Sequence, residues 1–192
     1  MTSAAPRPLA TNPPVFLNPL LGQLLAGRPP AFAAVEAPAR CAECGRPTRE
    51  DDDTRWLMAQ EQTLCAICQL GWTAAWESDQ VHLLLIPDWS QGLLNRVFVR
   101  LSLTLMVENS GSAIERMRQE QWLTALQARA TTTRQALPLT ASASQLRQTW
   151  LALPSAQRDS LTPMLEALRY LPNVEHPAIA DWLRQRLPKT VT

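Results

Sequence analysis

Cys41-Ala-Glu-Cys44, followed after twenty residues by Cys65-Ala-Ile-Cys68, contains every cysteine of the chain and decides how its first half folds. Each CxxC pair lets two sulfurs of one tight turn reach a single ion, and Gly45 can supply the positive φ that such a turn requires. Two pairs complete a tetrahedron with Zn–S bonds of about 2.3 Å and leave no position for water or substrate. The reading is one structural Zn2+ held by Cys41, Cys44, Cys65 and Cys68, with no catalytic and no cofactor-binding residue.

Two other uses of the same thiols fit less well. A disulfide framework suits a small secreted domain, and a redox CxxC belongs at a helix start in a βαβ setting. This chain has 192 residues, one cysteine cluster and no βαβ pattern around it.

Working outward, the composition changes along the chain. Residues 1–38 carry eight prolines and only three charged side chains, Arg7, Arg28 and Glu36, so regular structure there is limited to short pieces. Phe16, Leu17, Leu20, Leu21, Leu24 and Leu25 recur at helical intervals and form an apolar stripe suited to the globular body or to a partner. Residues 39–88 form the metal module. Thr54–Ala59 and Gln62–Leu64 read as a short hairpin, Gln69–Trp76 as one or two helical turns, and Gln80–Ile86 as a strand ended by Pro87. Knuckle, hairpin and a second pair at a helix start describe a treble-clef or ββα module. A zinc ribbon, with strands after both pairs, is the competing layout.

Residues 89–192 read as a helical domain, a small bundle. Ser90 caps a helix with Leu93, Leu94, Val97, Phe98, Leu101 and Leu105 inward. Ser112-Ala-Ile-Glu115 is a capping box that opens a second helix to about Thr133, with Ile114, Met117, Trp122, Ala125 and Leu126 buried. Ser142-Ala-Ser-Gln145 opens a third, with Leu146, Trp150, Leu151 and Leu153 inward. A fourth starts near Gln157, or at Thr162 with Pro163 in its first turn, and runs through Leu168 to Leu171. The last begins at Pro177 and buries Ile179, Trp182, Leu183 and Leu187. The fold class is therefore α+β, mostly helical.

The chemistry is sparse. A net charge of +1, from 18 basic and 17 acidic residues, gives no basic stripe for phosphates, so nucleic acid is not expected as a partner. With six glycines and no GxSxG or phosphate loop, nucleotide cradles are not expected either. The run Glu50–Asp53 lacks the alternate spacing of a calcium loop and reads as a solvated loop. His82 and His176 are the only histidines. A ββα-metal nuclease needs a histidine base plus further ligands; beside His82 only Asp88 and Asn95 are near in sequence. His176, before Pro177, reads as a helix cap. The seven tryptophans suit core positions and a few exposed anchors. No apolar run approaches the roughly 18 residues that span a bilayer. Val15–Leu25 is broken by Pro19, so a cytoplasmic protein with reduced thiols is expected.

The four-cysteine module, Gln80-Val-His-Leu-Leu-Leu-Ile-Pro87, then Gln91 and Leu94-Asn95-Arg96, and the late Leu168-Arg-Tyr-Leu-Pro172 together resemble the IcmJ/DotN family of type IVB secretion systems and their conjugative relatives. The resemblance covers about residues 40–175. It implies a degenerate HNH-like zinc module without nuclease activity, carried on Cys41, Cys44, Cys65 and Cys68. It further implies an adaptor that binds the C-terminal tail of the coupling ATPase at the inner-membrane complex, touching the membrane only through that complex and taking no small-molecule substrate. An HNH-type or zinc-ribbon nucleic-acid-binding protein is the alternative.

Overall fold

The computed structural model describes residues 32–34, 40–47, 55–57, 62–73, 79–107, 112–136 and 143–187. The leucine stripe of residues 16–25, the acidic run 50–53, Gln60-Glu61, Trp76 and the Ser142 cap lie outside them.

The fold is α+β and mostly helical. Strands β1 (Phe32–Ala34), β2 (Arg55–Leu57) and β3 (Gln62–Leu64) form an antiparallel sheet in that order, with Ala33 opposite Trp56 and Trp56 opposite Thr63. The β2–β3 hairpin is the expected one, and β1 extends it from within the proline-rich segment. Helix α1 (Ala66–Gln69) follows Cys65 directly and continues as a 3-10 turn, Leu70–Trp72.

A second sheet has two strands, β4 (Val81–Leu85) and β5 (Leu168–Pro172), paired antiparallel with Leu83 opposite Tyr170. Between them in sequence come α2 (Gln91–Met106), α3 (Ala113–Ala136), α4 (Ala143–Ala152) and α5 (Ser155–Ala167); α6 (Pro177–Arg184) ends the described chain. Residues Leu168–Leu171 were expected to finish a helix, and they are instead strand β5. Pro172 disfavours helical backbone at Leu171, and the extended segment gains a ladder with β4. The expected bundle is thereby replaced by helices arranged around a small sheet, with α3 along β4 and α2 against α3 and β5.

That sheet separates two clusters of buried side chains. Leu84 and Leu171 face the larger one, together with the cysteines, Leu94, Phe98, Leu126, Ile179 and Leu183. Val81, Leu168 and Tyr170 face the smaller one, with Trp150 of α4 and Leu165 of α5. The larger cluster runs across residue 88, joining the metal module to the helices that follow it.

The caps follow the sequence. Ser90 Oγ accepts from Leu93 N–H at 3.1 Å, Ser112 Oγ from Glu115 N–H at 3.2 Å, and His176 Nδ1 from Ala178 N–H at 3.3 Å. Helix α5 begins at Ser155, earlier than Thr162, because Gln157 and Arg158 both donate to the Pro154 carbonyl at 3.0 Å; Pro163 sits inside it.

The buried faces differ from the apolar stripes in three helices. Helix α2 buries Gln91, Gly92, Leu94, Asn95, Phe98, Val99 and Ser102, while Leu93 is exposed. Helix α3, with 24 residues, is about 36 Å long. It buries Leu126, Ala130 and Thr133 near its C-terminal half, where β4 lies, whereas Ile114, Met117, Trp122 and Ala125 are exposed. Its first turns extend past the short sheet and find little to pack on. On α4, Trp150 is buried but Leu151 is exposed.

Among the described residues, no helix is long and apolar enough to cross a membrane.

Candidate metal centre

The first CxxC pair sits in a tight knuckle. Gly45 N–H donates to Cys41 O and Cys41 N–H donates to Arg46 O, each at 2.9 Å. Gly45 adopts φ 68°, the left-handed conformation that glycine takes without a Cβ penalty. The knuckle is fastened to the hairpin where Ala42 N–H donates to Thr63 O at 2.9 Å. The second pair straddles the start of α1: Cys65 is its extended N-cap residue and Cys68 lies one turn in.

Folding brings the four sulfurs together. Cys41, Cys44, Cys65 and Cys68 are all buried, and their Sγ atoms lie within 4.8 Å of one another. Cys44 Sγ and Cys65 Sγ are 3.9 Å apart. A zinc tetrahedron with bonds of about 2.3 Å has edges of about 3.8 Å, close to the Cys44–Cys65 separation, so the four sulfurs could hold an ion of that size. All four are free thiols rather than bridged pairs. Their mutual contacts dominate their acidity: Cys44 draws Cys41 well below the ordinary thiol range, and Cys41 pushes Cys65 and Cys68 above it. Four sulfurs this close shed their protons together only around a cation.

Neighbouring groups turn N–H donors toward the sulfurs. Cys65 N–H points at Cys41 Sγ at 3.4 Å, and Asn95 Nδ2 donates to Cys68 Sγ at 3.2 Å. Asn95 Oδ1 in turn accepts from Gln91 Nε2 at 2.9 Å. Gln91 reaches onward to β5, giving Nε2–H to Tyr170 O at 2.7 Å and taking Tyr170 N–H on Oε1 at 2.8 Å. One chain of buried amides thus links Cys68 to the second sheet. Such outer contacts fix the orientation of ligands and tune the metal.

Helix α2 reaches the knuckle because Gly92 has no side chain. A Cβ built there would meet the Glu43 carbonyl oxygen at 2.1 Å. Arg96, one turn on, donates Nε–H to Cys44 O at 3.0 Å. Helix α6 also reaches the knuckle, where the Trp182 ring meets the Arg46 guanidinium at 4.7 Å from its centre, as it meets Arg186 at 3.6 Å. The buried Glu43 carboxyl is pushed up to about 8, chiefly by burial and then by Cys41 and Cys44.

The four cysteines that the sequence singles out are brought together in the structure, whereas Gln91 and Gly92 as supports were missed. The sequence names Asn95 as a helper of His82; the structure engages both ends of the Asn95 amide at Cys68 and Gln91. His82 lies on β4, beside a cleft against α3. A Gln and an Asn spaced i, i+4 just inside a capped helix are the signal that was available. Helix follows the second pair, so the strand that a zinc ribbon would place there is absent among the described residues.

Compared with models of known protein families and with curated proteins, the chain matches none.

Proposed function

We propose that the chain is a non-enzymatic, zinc-stabilised adaptor: a cytoplasmic subunit of a type IV coupling complex at the inner membrane that binds the C-terminal tail of the coupling ATPase. The observation that carries the reading is the saturated sulfur sphere. Four buried thiols within 4.8 Å of one another take every position of a tetrahedral ion, so zinc there clamps the polypeptide and offers no site for reaction. Knuckle, hairpin and helix then read as a treble clef in which the HNH-like chemistry is lost, because both ends of the Asn95 amide are already bonded. Exposed aromatic and apolar side chains, including Trp122, Met117 and Ile114, supply surface of the kind that partners recognise.

The test is calorimetry of the zinc-loaded chain with the isolated ATPase tail. Saturable heat and co-elution support the adaptor, and no binding by any tail fragment overturns it. The nucleic-acid alternative is checked in parallel by gel shift and plasmid nicking with Mg2+ or Mn2+. Nicking that is abolished by His82→Ala would replace the adaptor with a nuclease.

A further inference from the structure

Ile114, Met117, Arg118, Gln121, Trp122 and Ala125 recur along α3 at i, i+3, i+4, i+7, i+8 and i+11, the spacing of a helix face that packs on something. All six are exposed, Ile114 at 61%, Met117 at 51% and Trp122 at 55%. Leu123 and Leu126, on the other side of these turns, face the larger buried cluster. The stripe is roughly 17 Å long, three helical turns. Its aromatic end is held in place: Trp122 stacks on Trp89 with ring centres 6.4 Å apart, and the Trp89 carbonyl accepts from Arg169 Nε at 2.6 Å. A tryptophan fixed on one face and open on the other has little side-chain freedom left to lose when a partner covers it.

Charge is unevenly placed around the stripe. Helices α2 and α3 carry six arginines against two glutamates, Glu115 and Glu120, in a chain whose net charge is only +1. Arg116 engages Glu120 at 3.6 Å, and Glu115 stands in the first turn of α3, where the positive end of the helix dipole offsets it. Arg118, inside the stripe, and the exposed Arg100 of α2 have no acidic partner among the described residues. The two helices therefore set an unpartnered apolar stripe in a positive field.

We propose that this face receives an acidic amphipathic helix of a protein partner, whose apolar side covers Ile114, Met117 and Trp122 and whose carboxylates meet Arg118. The inference rests on the adaptor reading and names the surface and the chemistry of the partner's segment. Ridges of side chains three and four residues apart mate with the grooves of another helix at an axis separation of about 8–10 Å. An extended peptide would need a free strand edge. The second sheet offers none, since α3 lies along β4 and bonds Leu85, and Gln91 closes Tyr170 on β5. The excess of arginine selects an acidic segment over a basic one and speeds its encounter.

The experiment is hydroxyl-radical footprinting, read by mass spectrometry, on the zinc-loaded full chain with and without the ATPase tail. In the free chain Met117 and Trp122 oxidise readily while the buried Trp72 and Trp150 stay intact, and bound tail removes most of the oxidation at Met117 and Trp122. By calorimetry, Trp122→Ala weakens the tail by roughly 30-fold, the loss of a central anchor, and Arg118→Glu by roughly tenfold. Should Trp122→Ala not fold, Met117→Asp, on the solvent side of the helix, takes its place. Tail binding that leaves Met117 and Trp122 open to oxidation overturns this face while the adaptor stands. If no tail binds, the adaptor falls, and a helical peptide of about 20 residues, leucine at i, i+3, i+4 and i+7 with glutamate between, becomes the probe. Protection of Met117 and Trp122 by that peptide sustains the face, and no protection overturns it. Slow oxidation of both residues in the free chain would give the face to a second copy or to residues 16–25 of the same chain, and would overturn the proposal as well.

Discussion

Gln91 and Tyr170 hold each other in both directions: the Gln91 amide donates to the Tyr170 carbonyl at 2.7 Å and accepts from its N–H at 2.8 Å. A side chain of α2 thus performs what a neighbouring strand would do for β5. The same helix places Asn95 on Cys68, so the helix couples the sheet to the four-cysteine cluster.

Gln91→Leu should cost the protein roughly 2 kcal/mol or more, since it strands a buried N–H and a buried C=O at once. Urea unfolding of the zinc-loaded protein measures this. A change below about 0.5 kcal/mol, the range of ordinary surface substitutions, would show that the pair is not coupled to stability.

Asn95→Leu removes the N–H that faces Cys68 Sγ. Zinc affinity should fall roughly 10- to 100-fold, the usual effect of losing a group that orients a ligand. Competition against a chromophoric chelator reads it directly, and unchanged affinity would deny Asn95 this role.

Gly92→Ala places a methyl group 2.1 Å from the Glu43 carbonyl oxygen, a backbone atom with little room to yield. The knuckle and α2 must separate, at a cost of roughly 1–3 kcal/mol. A melting temperature equal to that of the wild type would show that the two elements do not depend on this contact.

Trp122 and Phe98 make an opposite pair. Phe98 is fully buried, and Phe98→Ala should cost about 3–5 kcal/mol. Trp122 is 55% exposed and stacks on Trp89 with ring centres 6.4 Å apart, so Trp122→Ala should cost far less. Equal losses in a thermal melt would contradict the assignment of the two faces.

What the sequence disclosed was mostly local. CxxC spacing defines a metal turn within a few residues, and Ser90, Ser112 and His176 cap helices through contacts two or three residues away. Strand β5 was missed because Leu168-Arg-Tyr-Leu-Pro172 continues the apolar pattern of α5; its extended form depends on β4, more than eighty residues earlier in the chain. The face of α2 was misread because Gln91 and Asn95 are polar, and an apolar periodicity assigns such residues to solvent. Their burial is compensated by hydrogen bonds to Tyr170 and Cys68, partners that only folding brings near. The exposed start of α3 has the reverse cause: Ile114 and Met117 fit an inward stripe, but the sheet beneath them ends too soon.

Cys44→Ser leaves three sulfurs and should abolish the folded metal module, since structural zinc contributes on the order of 10 kcal/mol to such folds. Chelation of the wild-type protein should do the same, whereas reductant alone should do nothing. Circular dichroism and tryptophan fluorescence follow both. A chelated protein that keeps its native spectrum would mean that the module folds without metal.

The central claim is a zinc ion enclosed by sulfur alone, and X-ray absorption at the zinc edge of the freshly purified protein tests it most directly. The account requires one zinc per chain with four sulfur neighbours at about 2.3 Å and no lighter atom in the coordination shell. An oxygen or nitrogen neighbour on the zinc, or metal well below one ion per chain, would contradict it.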